Sequence, residues 1–150
     1  MSGVNSLPSE RLAVAAVVAP GARAAGAGNS GWVDTALYSR LMGVISTGTL
    51  GASATVDAKW QSATDSSGTG AADIAAGQPT QIVKATGDNK QVVMNLDVNR
   101  LPDRTKRFVR LVLTVGTATS DAGAIVFGVD PRHGPASDND ATTVAQVVSN

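Results

Sequence analysis

The chain has no cysteine, which excludes a disulfide framework, a thiolate metal centre and a cysteine nucleophile. It has one histidine, His133, so no second imidazole can complete a histidine metal pair. No nucleophile stands at a recognised spacing from it either, and His133 reads as a surface or interface residue rather than a general base. Aromatic residues are 3% of the total, so Val, Ala, Leu and Ile must fill the interior. A sugar-stacking platform has only Trp32, Tyr38 and Trp60 to draw on, because the rigid aromatic anchors such a site needs are scarce. Twelve basic and twelve acidic residues cancel. That balance removes the electrostatic case for a nucleic acid or an anionic membrane as partner. No apolar run approaches the roughly 20 residues that span a bilayer.

What the chain does have is strand pattern and turns. In Gln91–Val98, Val92, Met94, Leu96 and Val98 alternate with Gln91, Asn95 and Asp97, the period of a strand with one wet face. In Phe108–Val115, Val109, Leu111, Leu113 and Val115 share one face, while Arg110 and Thr114 lie on the other. Ala124–Val129 is apolar throughout, which suits a central place in a sheet. Between Ala54 and Ala63, Ala54, Val56, Ala58 and Trp60 point inward against Thr55, Asp57, Lys59 and Gln61. A one-residue slip there would bury Asp57 and Lys59, so the register is strongly set. Further strands are predicted over Arg11–Ala19, Leu37–Ser46 and Thr80–Ala85. Sixteen glycines supply frequent turns. At 150 residues this makes one domain, all-β: an antiparallel β-sandwich, jelly-roll-like, of about eight strands, with extended N- and C-terminal arms.

The organisation along the chain follows from composition. Residues 1–10 are polar, carry Pro8 and read as an N-terminal arm. Residues 11–130 form the sandwich, and 131–150 a C-terminal arm that begins in the strand-breaking Asp130-Pro-Arg-His-Gly-Pro. Leu12–Ala19 reads as a first strand rather than a secretory leader, since Pro8 and Glu10 occupy the place of a basic region. Residues 20–31, small and Gly-rich, are expected to be a flexible loop. Residues 64–79 are a long excursion of the kind that carries function or lies on a partner. The stretch Ala141–Val148 is expected to be a short helix or a strand laid on another chain, its apolar tip marking a contact.

No chemical site assembles from these residues, and the chain is expected not to be an enzyme, with no cofactor and no metal. Asp65-Ser-Ser-Gly-Thr-Gly and Asp138-Asn-Asp140 fall short of the ligand count of a calcium loop. Gly48, Gly51, Gly68 and Gly70 do not open a helix with the lysine of a phosphate loop. Arg104, Lys106, Arg107 and Arg110 read as a solvated hairpin end, with phosphate contact as the functional alternative.

Several stretches taken in order carry a resemblance. They are Gly31-Trp-Val-Asp-Thr, Gly48-Thr-Leu-Gly-Ala-Ser-Ala-Thr-Val-Asp-Ala-Lys, Asp88-Asn-Lys-Gln-Val-Val, Arg107-Phe-Val-Arg and Gly128-Val-Asp-Pro-Arg-His-Gly-Pro-Ala-Ser-Asp. Over residues 11–148 the chain resembles a group of small virion proteins of tailed bacteriophages and prophages, encoded near the major capsid protein. Residues 20–30 depart from that group in being richer in Ala and Gly. The resemblance implies a virion protein, made in the host bacterial cytoplasm, that decorates or cements the assembled head. Its partners would be the major capsid protein and copies of itself, as a trimer, without nucleic acid or membrane. Arms of this kind bind by main-chain pairing and burial of a few apolar side chains. The contact residues expected here are Leu7, Leu12, Pro131, His133, Pro135, Val144 and Val147. The alternatives are a carbohydrate-binding β-sandwich for host attachment and a neck or tail component.

Overall fold

The computed structural model describes residues 6–149. Its strands are β1 (Leu12–Val18), β2 (Ala22–Arg23), β3 (Gly26–Asn29), β4 (Val33–Asp34), β5 (Tyr38–Thr47), β6 (Thr55–Ala63), β7 (Ala72–Ile74), β8 (Ile82–Val83), β9 (Gln91–Asp97), β10 (Phe108–Gly116) and β11 (Ser120–Pro131). Six of these segments are halves of broken lanes. β1 and β2 lie end to end along β11, β3 and β4 along β10, and β7 and β8 along β6. Eight lanes result, all paired antiparallel. The first sheet runs β1/β2, β11, β5, β9, and the second β3/β4, β10, β6, β7/β8. Successive lanes alternate between the sheets except from β6 to β7/β8, the order of a jelly roll.

The inward rows follow from register. Ala16, Val126, Gly43 and Met94 form one row across the first sheet, and Val18, Ala124, Ile45 and Val92 the next. Across the second sheet, Leu111, Trp60 and Ile74 align, as do Val115, Val56 and Ile82. Small residues in one sheet receive large ones from the other. Trp60 is fully enclosed, and its indole and Leu111 press against Gly43. A Cβ added there would sit 2.6 Å from Leu111 Cδ1 and 3.2 Å from the Trp60 ring. Tyr38 is fitted in the same way: a Cβ on Gly128 would overlap its ring.

The alternation read in β6, β9 and β10 is the alternation observed. Elsewhere the structure departs from expectation. Residues 20–31 are not a free loop, because β2 and β3 add to sheets whose neighbouring strands supply the hydrogen bonds. Ser30, buried, bridges the break after β3: its N–H donates to the Leu111 carbonyl at 2.9 Å, and its hydroxyl accepts from the Leu111 N–H at 2.9 Å. The excursion 64–79 contains β7. Thr80–Ala85 is a strand only at Ile82–Val83, then coils into a single helical turn, Lys84–Gly87. Ala141–Val148 is neither helix nor strand: a turn at 141–143 is followed by irregular chain.

Filling the space over Gly43 tests the sheet spacing. Gly43→Val is expected to destabilise the fold by about 1–3 kcal/mol through overpacking, read as a lower urea midpoint with unchanged slope. An unchanged midpoint would mean that the two sheets do not meet there.

Candidate functional site

The two outer faces of the sandwich differ in kind. On the first sheet, Val17, Ile125, Val44 and Val93 stand in one row across four strands, all pointing outward. Val14, Phe127, Met42 and Asn95 form the next row, and Leu12, Val129, Arg40 and Asp97 the third. A bulge between Val14 and Ala16 keeps both Val14 and Val17 on the outer face although they are three residues apart. Val93 is 57% and Ile125 39% exposed, Asn95 is exposed as well, and the other residues of the two upper rows are half-buried. On the second sheet the outer face is mainly polar and cross-linked, with Val83, 39% exposed, at its β8 edge. Lys59 Nζ lies 2.7 Å from Asp73, Gln61 donates to Asp73 at 2.7 Å, and Gln81 donates to Asp57 at 2.8 Å.

Four strands at about 4.8 Å spacing and seven residues at about 3.3 Å give the apolar face an extent of roughly 450 Å². That lies in the middle of the about 300–600 Å² span of the largest apolar patch on a typical monomer, and is roughly half of one partner's share in a standard interface, about 800 Å². It is enough to anchor a contact and too little to hold one alone.

The C-terminal segment lies back on the sandwich. The Ala136 N–H donates to the Glu10 carbonyl at 2.8 Å, and the Asp140 N–H to the Val14 carbonyl at 2.7 Å. The Val14 N–H donates to Asn139 Oδ1 at 2.9 Å. Main-chain groups on the free edge of β1 are thereby satisfied by a strap that is not itself a strand. Ala136 is buried in the core, and the Tyr38 hydroxyl donates to the Asp138 carbonyl at 2.8 Å. Burial, and secondly the negative charge of Asp138, push the Tyr38 hydroxyl up to about 12 from its ordinary 10.0. Val144 comes to the margin of the apolar face. With Thr143 it closes one side of a hollow of about 580 Å³ whose other walls include Val14, Val17, Val44 and Ile125.

The contact residues expected from sequence are therefore spread rather than clustered. Leu12 and Val144 belong to the apolar face or its margin. Leu7, 37% exposed, precedes the helical turn Pro8–Arg11. Pro131 ends β11 opposite Tyr38, and His133 and Pro135 are exposed in the turn that starts the strap. Val147 is exposed beyond it. Val17, Val44, Val93 and Ile125 were not singled out from sequence. Their signal is that β5 and β11 are apolar at both parities, which also fits a central strand.

The three aromatics do not form a platform, because Tyr38 and Trp60 are enclosed. Trp32 is half-buried under the Arg110 guanidinium, 4.4 Å from the ring centroid, and Arg110 also grips Gln61 Oε1 at 2.8 and 3.0 Å. The basic cluster accordingly divides. Arg110 lies on the outer face of the second sheet. Arg104 and Arg107 line a hollow of about 160 Å³ with Arg132, Thr35 and Asn99. The Thr69 side chain first, and then the N–H groups of Thr69 and Ser67 that donate to its carboxylate, hold Asp65 below the usual carboxylate range. Among the described residues no three His, Cys, Asp or Glu stand close enough to hold a metal ion. No helix among them is long and apolar enough to cross a membrane.

No protein-family model matches the chain, and no curated protein matches it. Among solved structures it is similar to the C-terminal family 22 carbohydrate-binding module of Clostridium thermocellum Xyn10B. The identity is 14%, over 85% of this chain and 90% of that one, with a TM-score of 0.40. No residue role is carried over from it.

Tyr38 is the sole tyrosine, so near-ultraviolet absorbance reads its ionisation directly. Its midpoint is expected at about 12. The stability that depends on the neutral phenol is fully present below pH 10 and is lost as the pH rises from there through about 12; Tyr38→Phe lacks that loss. Removing residues 136–150 should bring the midpoint back toward the ordinary value. A midpoint that stays high would place its cause elsewhere than the strap.

Proposed function

We propose that the chain is a non-catalytic structural protein of a tailed-phage virion, one that docks on the assembled head and stabilises it. The docking element is the outer face of the first sheet, and its occupant is the outer surface of the major capsid protein lattice. One observation carries the reading: a sandwich whose two outer faces differ, one a four-strand apolar surface with Val93 and Ile125 exposed, the other mainly polar and ion-paired. Water disfavours the first and not the second, so a partner gains by covering the first. The sequence resemblance to head-gene products names the partner. Because the face offers only about half of a standard contact, the copies act together, as a trimer in which each weak contact is helped by its neighbours.

A second reading, carbohydrate binding, is favoured by one feature: Trp32, partly exposed beside the Arg110, Gln61 and Asp73 chain of hydrogen bonds. Glycan binding abolished by Trp32→Ala would favour it over docking.

The docking reading is tested by cosedimentation with expanded heads. The double variant Val93→Asp, Ile125→Asp is expected to stay folded, since both side chains are largely outside the core, and to bind heads roughly a hundredfold more weakly. Saturation of heads at the wild-type concentration would overturn the assignment of this face, as would loss of a homodimer in place of loss of head binding.

A further inference from the structure

The loop between β9 and β10 and the start of the C-terminal strap bring three arginines to one place. Arg104 and Arg107 come from the loop and its exit, and Arg132 from just past β11, far away in sequence. Together with Thr35, Asn99, Val98 and Leu101 they line the 160 Å³ hollow. Each guanidinium carries five donors, and among the described residues each uses one. Arg104 donates to the Asn99 carbonyl at 3.3 Å, Arg107 to Asp34 at 2.9 Å, and Arg132 to the Thr35 carbonyl at 3.4 Å. Among the described residues the remaining N–H groups of each fork have no hydrogen-bond acceptor, although the Arg107 guanidinium also lies 5.2 Å from the Phe108 ring centroid. Asp34 is the one carboxylate bonded to any of the three, so the hollow holds an excess of two positive charges.

The geometry points to an oxoanion site that takes one carboxylate from an acidic segment of a partner protein. Guanidinium forks match a carboxylate edge to edge, and Arg107 already holds one carboxylate oxygen here, Asp34 Oδ2, through a single bond at 2.9 Å. The volume holds a single such group, not a nucleotide. Asp34 beside it penalises a dianionic phosphate more than a singly charged carboxylate. The chain as a whole is neutral, which disfavours a nucleic acid backbone. The choice of a protein as the source of the carboxylate rests on the docking reading; the chemistry of the site does not.

The site is tested on the isolated chain, without heads. Amide and guanidinium NMR spectra are followed while an N-acetylated, C-amidated tri-glutamate peptide is added at low salt, and in a separate arm inorganic phosphate. The peptide is expected to shift the Arg104 and Arg132 Nε–H resonances. Arg104→Gln should weaken its binding roughly tenfold, and Arg104→Gln with Arg132→Gln further. Lys90→Gln, on an exposed turn elsewhere, should leave it unchanged. The spectra themselves report whether each variant is folded. Shifts with phosphate alone overturn the carboxylate assignment. Shifts with neither probe, or peptide binding unchanged in Arg104→Gln, overturn the site. Both results leave head binding through the apolar face to be judged by its own variants.

Discussion

The closure of two sheets over Trp60 is the contact on which the rest of this molecule depends. With aromatics so few, one indole fills much of the space between the layers, and it fits because Gly43 opposite has no side chain. Its ring nitrogen finds no hydrogen-bond partner among the described residues, so the indole is held by shape rather than by polar contact. Once β5 and β6 are fixed against each other there, the inward parity of every strand is decided, and with it the outward parity. The apolar outer rows are thus a by-product of where the core rows must go, and only their composition is free. On the second sheet that freedom was used for Lys59, Gln61, Arg110 and Asp73, and on the first for Val, Ile, Met and Phe.

Strands with one polar face could be read from the sequence, and strands without one could not be placed as well. β6, β9 and β10 carry Asp, Lys, Asn or Arg at alternate positions, so their faces and register were legible residue by residue. β1 hides its parity behind a bulge at Ala15, where the step from Val14 to Val17 breaks the period of two. β2 and β3 are built from Ala, Gly, Arg and Asn, which have little intrinsic strand preference. Their strand geometry comes from β10 and β11, which present ready rows of main-chain groups. Such segments look like loops until their partners are in place.

The candidate site was legible in composition and not in arrangement. The C-terminal segment stood out by its breakers at Pro131 and Pro135 and its apolar residues at Val144 and Val147, while half of the expected N-terminal arm, residues 1–5, lies outside the described residues. That the C-terminal segment would turn back and bond to Glu10 and Val14 depends on pairs separated by more than a hundred residues, for which a single sequence offers no signal. The same is true of Arg132, which joins Arg104 and Arg107 only because β11 ends beside the loop that precedes β10. The local basic cluster was visible, yet the sequence grouped Arg110 with it, and the sheet turns that side chain to Trp32 instead.

The broken lanes have a further consequence. Each sheet has two edges, and three of the four are interrupted lanes: β1/β2, β3/β4 and β7/β8. An interrupted edge offers another chain only a few consecutive main-chain groups before the register is lost, and β1 is additionally covered by its strap. A protein with an apolar outer face, present at high local concentration, is in danger of growing into fibrils by edge-to-edge addition. Here three of the four edges are blunted in this way, and β9 (Gln91–Asp97) is the one edge that presents an unbroken row of main-chain groups, so edge-to-edge growth is confined to a single side of the first sheet.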